Sequence, residues 1–140
     1  MVSIKHDPVS YRGMTHRVVY NNCYGGFDLS DEGLTEYNHR TSQLVTDPDA
    51  ISRDDPVLIH MVETMDPRVI NSRNSRLKIK EFPIVFREFL EWSEYDGKEH
   101  VHVNYYKYIV DTVKSVLEAD VSAEEKIRMI SKLYDDCTFS

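Results

Sequence analysis

The residue of this sequence that is best suited to chemistry is Cys23, which follows a strand-like run and precedes the glycine pair Gly25 and Gly26. The glycines let the backbone approach a partner closely, and Ser30, a few residues later, is a typical N-cap of a helix. A helix N-terminus favours anions, thiolates included. The turn from Cys23 to Ser30 is therefore a candidate nucleophile or anion site.

A cysteine nucleophile needs an oxyanion site and a base. The Gly25 and Gly26 amides could hold the oxyanion. Five histidines are available as the base: His16, His39, His60, His100 and His102. The alternative is structural, with Cys23 as a small buried residue that ends a strand and the glycines in a tight turn. Free cysteine is among the most buried residue types, so we favour this alternative and predict no catalytic residue beyond the candidate Cys23.

The same turn could bind a small anion, because basic side chains are concentrated in one later segment. Residues 67–80 contain five basic residues and no acidic one. They could close over a phosphate or carboxylate that the turn amides hold. The predicted ligand-binding set is Cys23, Tyr24, Gly25, Gly26, Phe27, Arg73, Arg76 and Lys78. Neither a P-loop nor a GxGxxG pattern is present, so a nucleotide would bind in a non-standard way, and we predict no cofactor.

Metal binding has one candidate pair, His100 and His102, which alternate on one predicted strand face. They could share a metal only if a neighbouring strand supplied further ligands, and a solvated strand face is the simpler interpretation. The two cysteines, Cys23 and Cys137, form no CxxC pattern. We therefore expect no structural zinc and two reduced thiols.

Length and composition are those of one folded domain, here 1–140, with 41% hydrophobic and 29% charged residues. The net charge of −7 disfavours binding to nucleic acid, for which only the basic segment would be suited. No apolar stretch approaches the roughly 20 residues that cross a bilayer. The N-terminus lacks the apolar core of a signal peptide, so we expect a protein that neither enters a membrane nor is exported by that route.

The apolar periodicities predict an α+β fold, in which helices cover one small, mainly antiparallel sheet. Asp96-Gly97 is a strong hairpin signal, and Ser122 to Glu125 matches a helix capping box. The predicted elements are an irregular arm at 1–14, strands near 16–21, 77–82, 87–95 and 99–103, helices at about 31–41 and 57–65, and a C-terminal helical hairpin at 105–136.

Four segments taken in order carry a resemblance to a known family. They are Cys23-Tyr24-Gly25-Gly26-Phe27 with Leu29-Ser30, Arg53-Asp54-Asp55-Pro56, Leu77 to Pro83 (LKIKEFP) and Glu94 to Val101 (EYDGKEHV). Together they resemble a family of small uncharacterised proteins from bacteriophages and large DNA viruses. The chain departs from that pattern around residues 84–92 and in its C-terminal helices. The resemblance implies a viral source, and it implies no activity.

Without a complete catalytic set, we expect a non-catalytic viral binding protein, either a virion component or an accessory factor in the host cytoplasm that contacts a macromolecule. A protein partner or self-association is expected. The tyrosines at 105, 106 and 108 with Trp92 form the kind of aromatic cluster enriched at interfaces, although aromatic residues at a helix start more often belong to the core. The alternative is a protein that sequesters a small anion or nucleotide, or a cysteine-dependent enzyme, with its site at the Cys23–Ser30 turn.

Overall fold

A computed structural model describes residues 14–138, which form an α+β fold around a two-stranded ribbon. Strand β1, Thr15–Asn21, pairs antiparallel with β2, Leu77–Pro83. Both sequences alternate apolar and polar residues or are rich in β-branched ones, as strands require. Successive side chains of a strand point to opposite faces, so the adjacent, buried Val18 and Val19 enter two different cores.

The first core lies between the ribbon and three capped helices. They are α1 (Asp31–Thr41), α2 (Pro56–Thr64) and α3 (Pro67–Ile70), with a 3-10 helix at Pro48–Ala50. Ser30 Oγ accepts from the Gly33 amide at 2.9 Å, and Asp55 and Asp66 cap α2 and α3 in the same way. The buried members of this core are Val19, Leu29, Tyr37, Ile51, Leu58, Met61, Ile70 and Leu77.

The second core lies on the other face of the ribbon. Its elements are a 3-10 helix at Ile84–Phe89, β3 (Leu90–Tyr95), β4 (Lys98–Val103), α4 (Tyr105–Glu118) and α5 (Ala123–Thr138). Strands β3 and β4 pair antiparallel. The fully buried Phe86 meets Tyr108 edge to face, with ring centres 4.9 Å apart. The buried members are Val18, Phe82, Phe86, Val101, Val103, Tyr108 and Leu133.

The structure confirms the α+β class, the helix at 31–41 and the C-terminal helical hairpin. The strands differ from the prediction, because they form two sheets of two strands instead of one sheet. The segment predicted as strand from residue 87 is a 3-10 helix up to Phe89, since β2 ends at Pro83 and Phe86 turns into the core. The predicted arm at 1–14 lies outside the described residues except for Met14.

Helix α3 was not predicted, although Asp66-Pro67 repeats the start signal that Asp55-Pro56 gives for α2. It places Ile70, 2% exposed, in the first core. None of the helices within residues 14–138 combines the length and the hydropathy that crossing a membrane requires.

Candidate functional site

The turn that follows β1 is organised by the side chain of Asn21, which is fully buried. Its Nδ2 donates to the Cys23 carbonyl at 2.7 Å and to the Gly97 carbonyl at 2.9 Å, while its Oδ1 accepts from the Arg76 amide at 2.8 Å. One side chain thus joins the turn, the β3–β4 hairpin and the start of β2. Buried amides are stable only when they are bonded in this way, so Asn21 is a structural residue.

The glycines let the backbone of the turn contact the backbone of the β3–β4 hairpin. Gly25 has φ +118° and donates its amide to the Asp96 carbonyl at 2.8 Å. Gly97 has φ +89°, and a Cβ there would lie 2.1 Å from the Gly26 nitrogen. Only glycine fits at such an approach. The suggestion that the Gly25 amide holds an oxyanion is therefore wrong, because the hairpin carbonyl already occupies it.

A partly buried ion pair lies beside this contact. Arg53 Nη2 is 2.7 Å from Glu99 Oε2, and the two side chains are 18% and 12% exposed. The other carboxylate oxygen of Glu99, Oε1, accepts a hydrogen bond from the backbone amide of Asn21 at 2.9 Å. The Arg53 guanidinium lies 3.4 Å from the centre of the Phe27 ring, so Phe27 covers a structural arginine. We call Asn21, Gly25, Arg53, Gly97 and Glu99 the clip.

The surface next to the clip carries two exposed aromatic side chains. Tyr24 and Tyr95 are 57% and 73% exposed, and their rings meet edge to face with centres 6.4 Å apart. Lys98 Nζ lies 5.5 Å from the centre of the Tyr24 ring. Tyr24, predicted as a ligand-binding residue, therefore packs against the hairpin tip and a cation of the same chain.

The basic segment lies beside the turn, as predicted, but it is held there through its backbone. The Arg76 carbonyl accepts from the Asn22 amide at 2.8 Å, and Lys78 is opposite Tyr20 in the β1–β2 register. The side chains of Arg73, Arg76 and Lys78 are exposed and form no ion pair with any described residue. An anion at this surface would meet those cations instead of the Gly25 amide.

The thiol of Cys23 is only partly exposed, and across residues 14–138 no hydrogen bond connects a histidine to it. His16 is instead near Asp54, at 3.9 Å, and His39 and His60 are exposed on α1 and α2. In the described part of the chain, the cysteine and base pair considered from the sequence is not assembled. At Cys137, burial and the neighbouring Asp136 raise the thiol pKa, which lowers its reactivity.

The predicted metal candidates lie on the exposed side of β4. His102 Nε2 is 3.5 Å from Glu91 Oε1, and His100 is opposite Ser93. In the region that the structure describes, no group of three or more histidine, cysteine or acidic side chains is placed to hold a metal ion.

A second candidate surface lies on the C-terminal helical hairpin. Half of the apolar circumference of α4 and α5 faces the core, and the rest is exposed to solvent. We call the exposed part the hairpin face, and it consists of Tyr106, Val110, Leu117, Ile127, Ile130 and Tyr134. The exposed fraction of each of these residues lies between 38% and 79%.

Comparison with protein-family models, with curated proteins and with solved structures finds no match to this chain. The viral resemblance thus stays a prediction that rests on its four segments. Those segments nevertheless meet in the structure, since the clip draws on three of them and β2 is the fourth. Asn21, Arg53 and Glu99 were missed as a group, and the co-occurrence of the segments was a signal for Arg53 and Glu99, whereas Asn21 lies outside them.

Proposed function

We propose that this chain is a non-catalytic viral interaction protein, a virion component or accessory factor that contacts a macromolecule through the hairpin face. The observation that carries the proposal is the hairpin face itself. Monomeric proteins rarely expose contiguous apolar patches beyond a few hundred Å² unless the patch binds something. Two aromatic residues, Tyr106 and Tyr134, belong to the face, and tyrosine is enriched at interfaces.

The contacts of the clip also support this proposal. The groups that suggested chemistry at the turn already have internal partners, since the Gly25 amide bonds Asp96 and Phe27 covers Arg53. Small-anion binding is the second candidate function, and one observation favours it: the exposed, unpaired side chains of Arg73, Arg76 and Lys78 lie near the turn.

Site-specific photo-crosslinking in producing cells tests the leading function. A photoreactive amino acid replaces Ile127 on the hairpin face, 66% exposed, and in a matched control it replaces Leu44, which is 94% exposed on the loop after α1. We expect a discrete crosslinked product of defined mass from position 127 and none from position 44. Equal products from both positions, or none from either, would overturn the proposal.

Calorimetric titration with inorganic phosphate and with ATP tests the second candidate. If the exposed cations form an anion site, either ligand binds with saturation and Arg76→Ala weakens the binding. Cys23→Ser distinguishes an anion site from thiol chemistry, because an anion site would keep its ligand in that variant. Saturable binding that Arg76→Ala weakens, together with no crosslink at position 127, would replace the leading function by the second.

A further inference from the structure

The apolar arcs of α4 and α5 are wider than the core needs. On α4, Tyr108 and Val116 are buried, while Tyr106, Val110 and Leu117 continue the apolar surface around the helix and are exposed. Positions 106, 110, 113 and 117 repeat with the alternating four- and three-residue spacing of helices that pack in a bundle, and of the four only Val113 packs against the second core. A structural helix at the edge of one core would not need this second stripe.

Helix α5 repeats the pattern. Leu133 is buried, while Ile127, Ile130 and Tyr134 form an exposed apolar stripe at spacings of three and four. Two hydrogen bonds show that the two helices run antiparallel and fix their alignment. Lys126 Nζ donates to the Leu117 carbonyl at 3.0 Å, and Tyr108 Oη donates to Asp136 Oδ2 at 3.0 Å.

This alignment sorts the exposed residues into layers. If 117 is level with 126 and 108 with 136, then Leu117 lies at the height of Ile127, and Val110 lies at the height of Tyr134. A two-fold axis parallel to the helices would bring α4 of one copy opposite α5 of the next, at the same height and antiparallel. Leu117 of one copy then meets Ile127 of the other and Val110 meets Tyr134, and a two-fold axis repeats both contacts.

We infer that the occupant of the hairpin face is a second copy of this chain, which completes an antiparallel four-helix bundle. The inference rests on the proposed function and names its partner. The six residues of the face expose roughly 700 Å², close to the ~800 Å² that each partner buries in a standard interface. The rim carries both signs, with Lys107 and Lys114 on α4 and Glu124 and Arg128 on α5, so each contact between α4 of one copy and α5 of the other includes charges of both signs.

Sedimentation velocity of the purified full chain tests the inference. We expect the wild type to shift from monomer to dimer as its concentration rises to about 100 μM, where an interface of micromolar affinity is nearly saturated. Leu117→Glu and Ile127→Lys each place a charge in the interface and should stay monomeric, with dimerisation weakened by about 100-fold. Leu44→Glu is the matched control, because it charges an exposed leucine away from the face and should dimerise like the wild type.

A mixture of the two charged variants tests the arrangement of the helices. If α4 faces α5 of the partner, Glu at 117 meets Lys at 127 across the axis, and the mixture forms a heterodimer that neither variant forms alone. Circular dichroism checks that each variant is folded, which we expect because both positions are more than 60% exposed.

The inference is overturned if the wild type stays monomeric throughout, if both charged variants dimerise like the wild type, or if their mixture stays monomeric. These failures differ from failure of the proposed function. A monomeric protein that still crosslinks at position 127 to another macromolecule loses the second copy as its partner and keeps its role in binding.

Discussion

On one face of the β1–β2 ribbon, short helices bury or half-bury most of their apolar side chains, whereas on the other face two longer helices leave many of theirs exposed. No large apolar residue of α1 or α2 is exposed. Within residues 105–138, ten large hydrophobic residues are exposed. Both regions pack amphipathic helices against the same ribbon. They differ in how much of the apolar surface of each helix the core leaves uncovered. Excess apolar surface of this kind indicates a binding face.

The largest effect we expect separates two leucines that the sequence does not distinguish. Leu58 on α2 is fully buried, and Leu117 on α4 is 62% exposed. Leu58→Ala leaves a cavity and should lower the free energy of unfolding by about 3–5 kcal/mol. Leu117→Ala should cost the monomer less than about 0.5 kcal/mol. Urea denaturation at low protein concentration measures both, and similar costs would erase the contrast between the two faces.

The junction between the two regions gives the next effect. Gly97→Ala would force a Cβ within 2.1 Å of the Gly26 nitrogen and should destabilise the fold by about 3 kcal/mol. Gly26→Ala is the matched control, since it has a similar φ of +114° but open space around the new Cβ. It should cost only the backbone strain of about 1–2 kcal/mol. Equal melting temperatures for the two variants would show that the turn and the hairpin tip do not meet closely.

The ion pair of the clip should contribute somewhat less. Glu99→Gln keeps an acceptor for the Asn21 amide but removes the charge opposite Arg53, so we expect a loss of about 2 kcal/mol. Glu88→Gln serves as the control, because its pairing with Arg87 is long, at 3.8 Å, and exposed. Chemical denaturation at neutral pH compares the two. If Glu99→Gln lowers the free energy of unfolding no more than Glu88→Gln does, the ion pair of the clip stabilises the fold no more than an exposed surface pair.

A smaller effect concerns one buried tyrosine in each core. Tyr37 donates to Asp55 at 2.7 Å, and Tyr108 donates to Asp136 at 3.0 Å. Burial, together with Asp55, raises the pKa of Tyr37 to about 12, and burial with Asp136 raises the pKa of Tyr108 as well. A tyrosine of the unfolded chain ionises near 10. The folded state therefore holds these protons more tightly, and stability that is complete below pH 10 falls as the pH rises toward 12.

Tyr37→Phe removes one of these two titratable hydroxyl groups. We expect it to cost about 1–2 kcal/mol at pH 8, because the bond to a carboxylate is lost, and to reduce the loss of stability between pH 10 and pH 12. Tyr95→Phe, at an exposed position, should leave the pH profile unchanged. Denaturation midpoints from pH 8 to pH 12 provide the comparison. A Tyr37→Phe profile as steep as that of the wild type would argue against the raised pKa.

Local signals explain which parts of the fold the sequence could predict. Ser30 and the acidic first turn mark α1, and Ser122 with Glu125 marks the start of α5, because capping depends on near neighbours. The pairing of strands depends on contacts between residues far apart in the sequence, which is why one sheet was predicted where the structure has two. Residues 87–95 were predicted as one strand, yet the structure has a 3-10 helix up to Phe89, with Phe86 buried against Tyr108.

The clip shows the same limit for the site. Arg53 and Glu99 are 46 residues apart, and no local pattern pairs two such charges among many. The sequence correctly marked the turn as special, but the reason for its glycines is the approach of a second backbone, which only the tertiary structure reveals. Of the three tyrosines that suggested an interface, only Tyr106 belongs to the hairpin face, because Tyr108 is buried in the second core.

Hydrogen–deuterium exchange at two protein concentrations tests most directly whether the hairpin face is where this chain binds. If it is, raising the concentration from about 1 to about 100 μM across a micromolar affinity slows exchange in 105–138 and leaves residues 15–83 unchanged. Exchange that is the same at both concentrations would contradict self-association through the hairpin face, and exchange that changes first around Cys23 and the basic segment would move the binding surface away from the C-terminal helices.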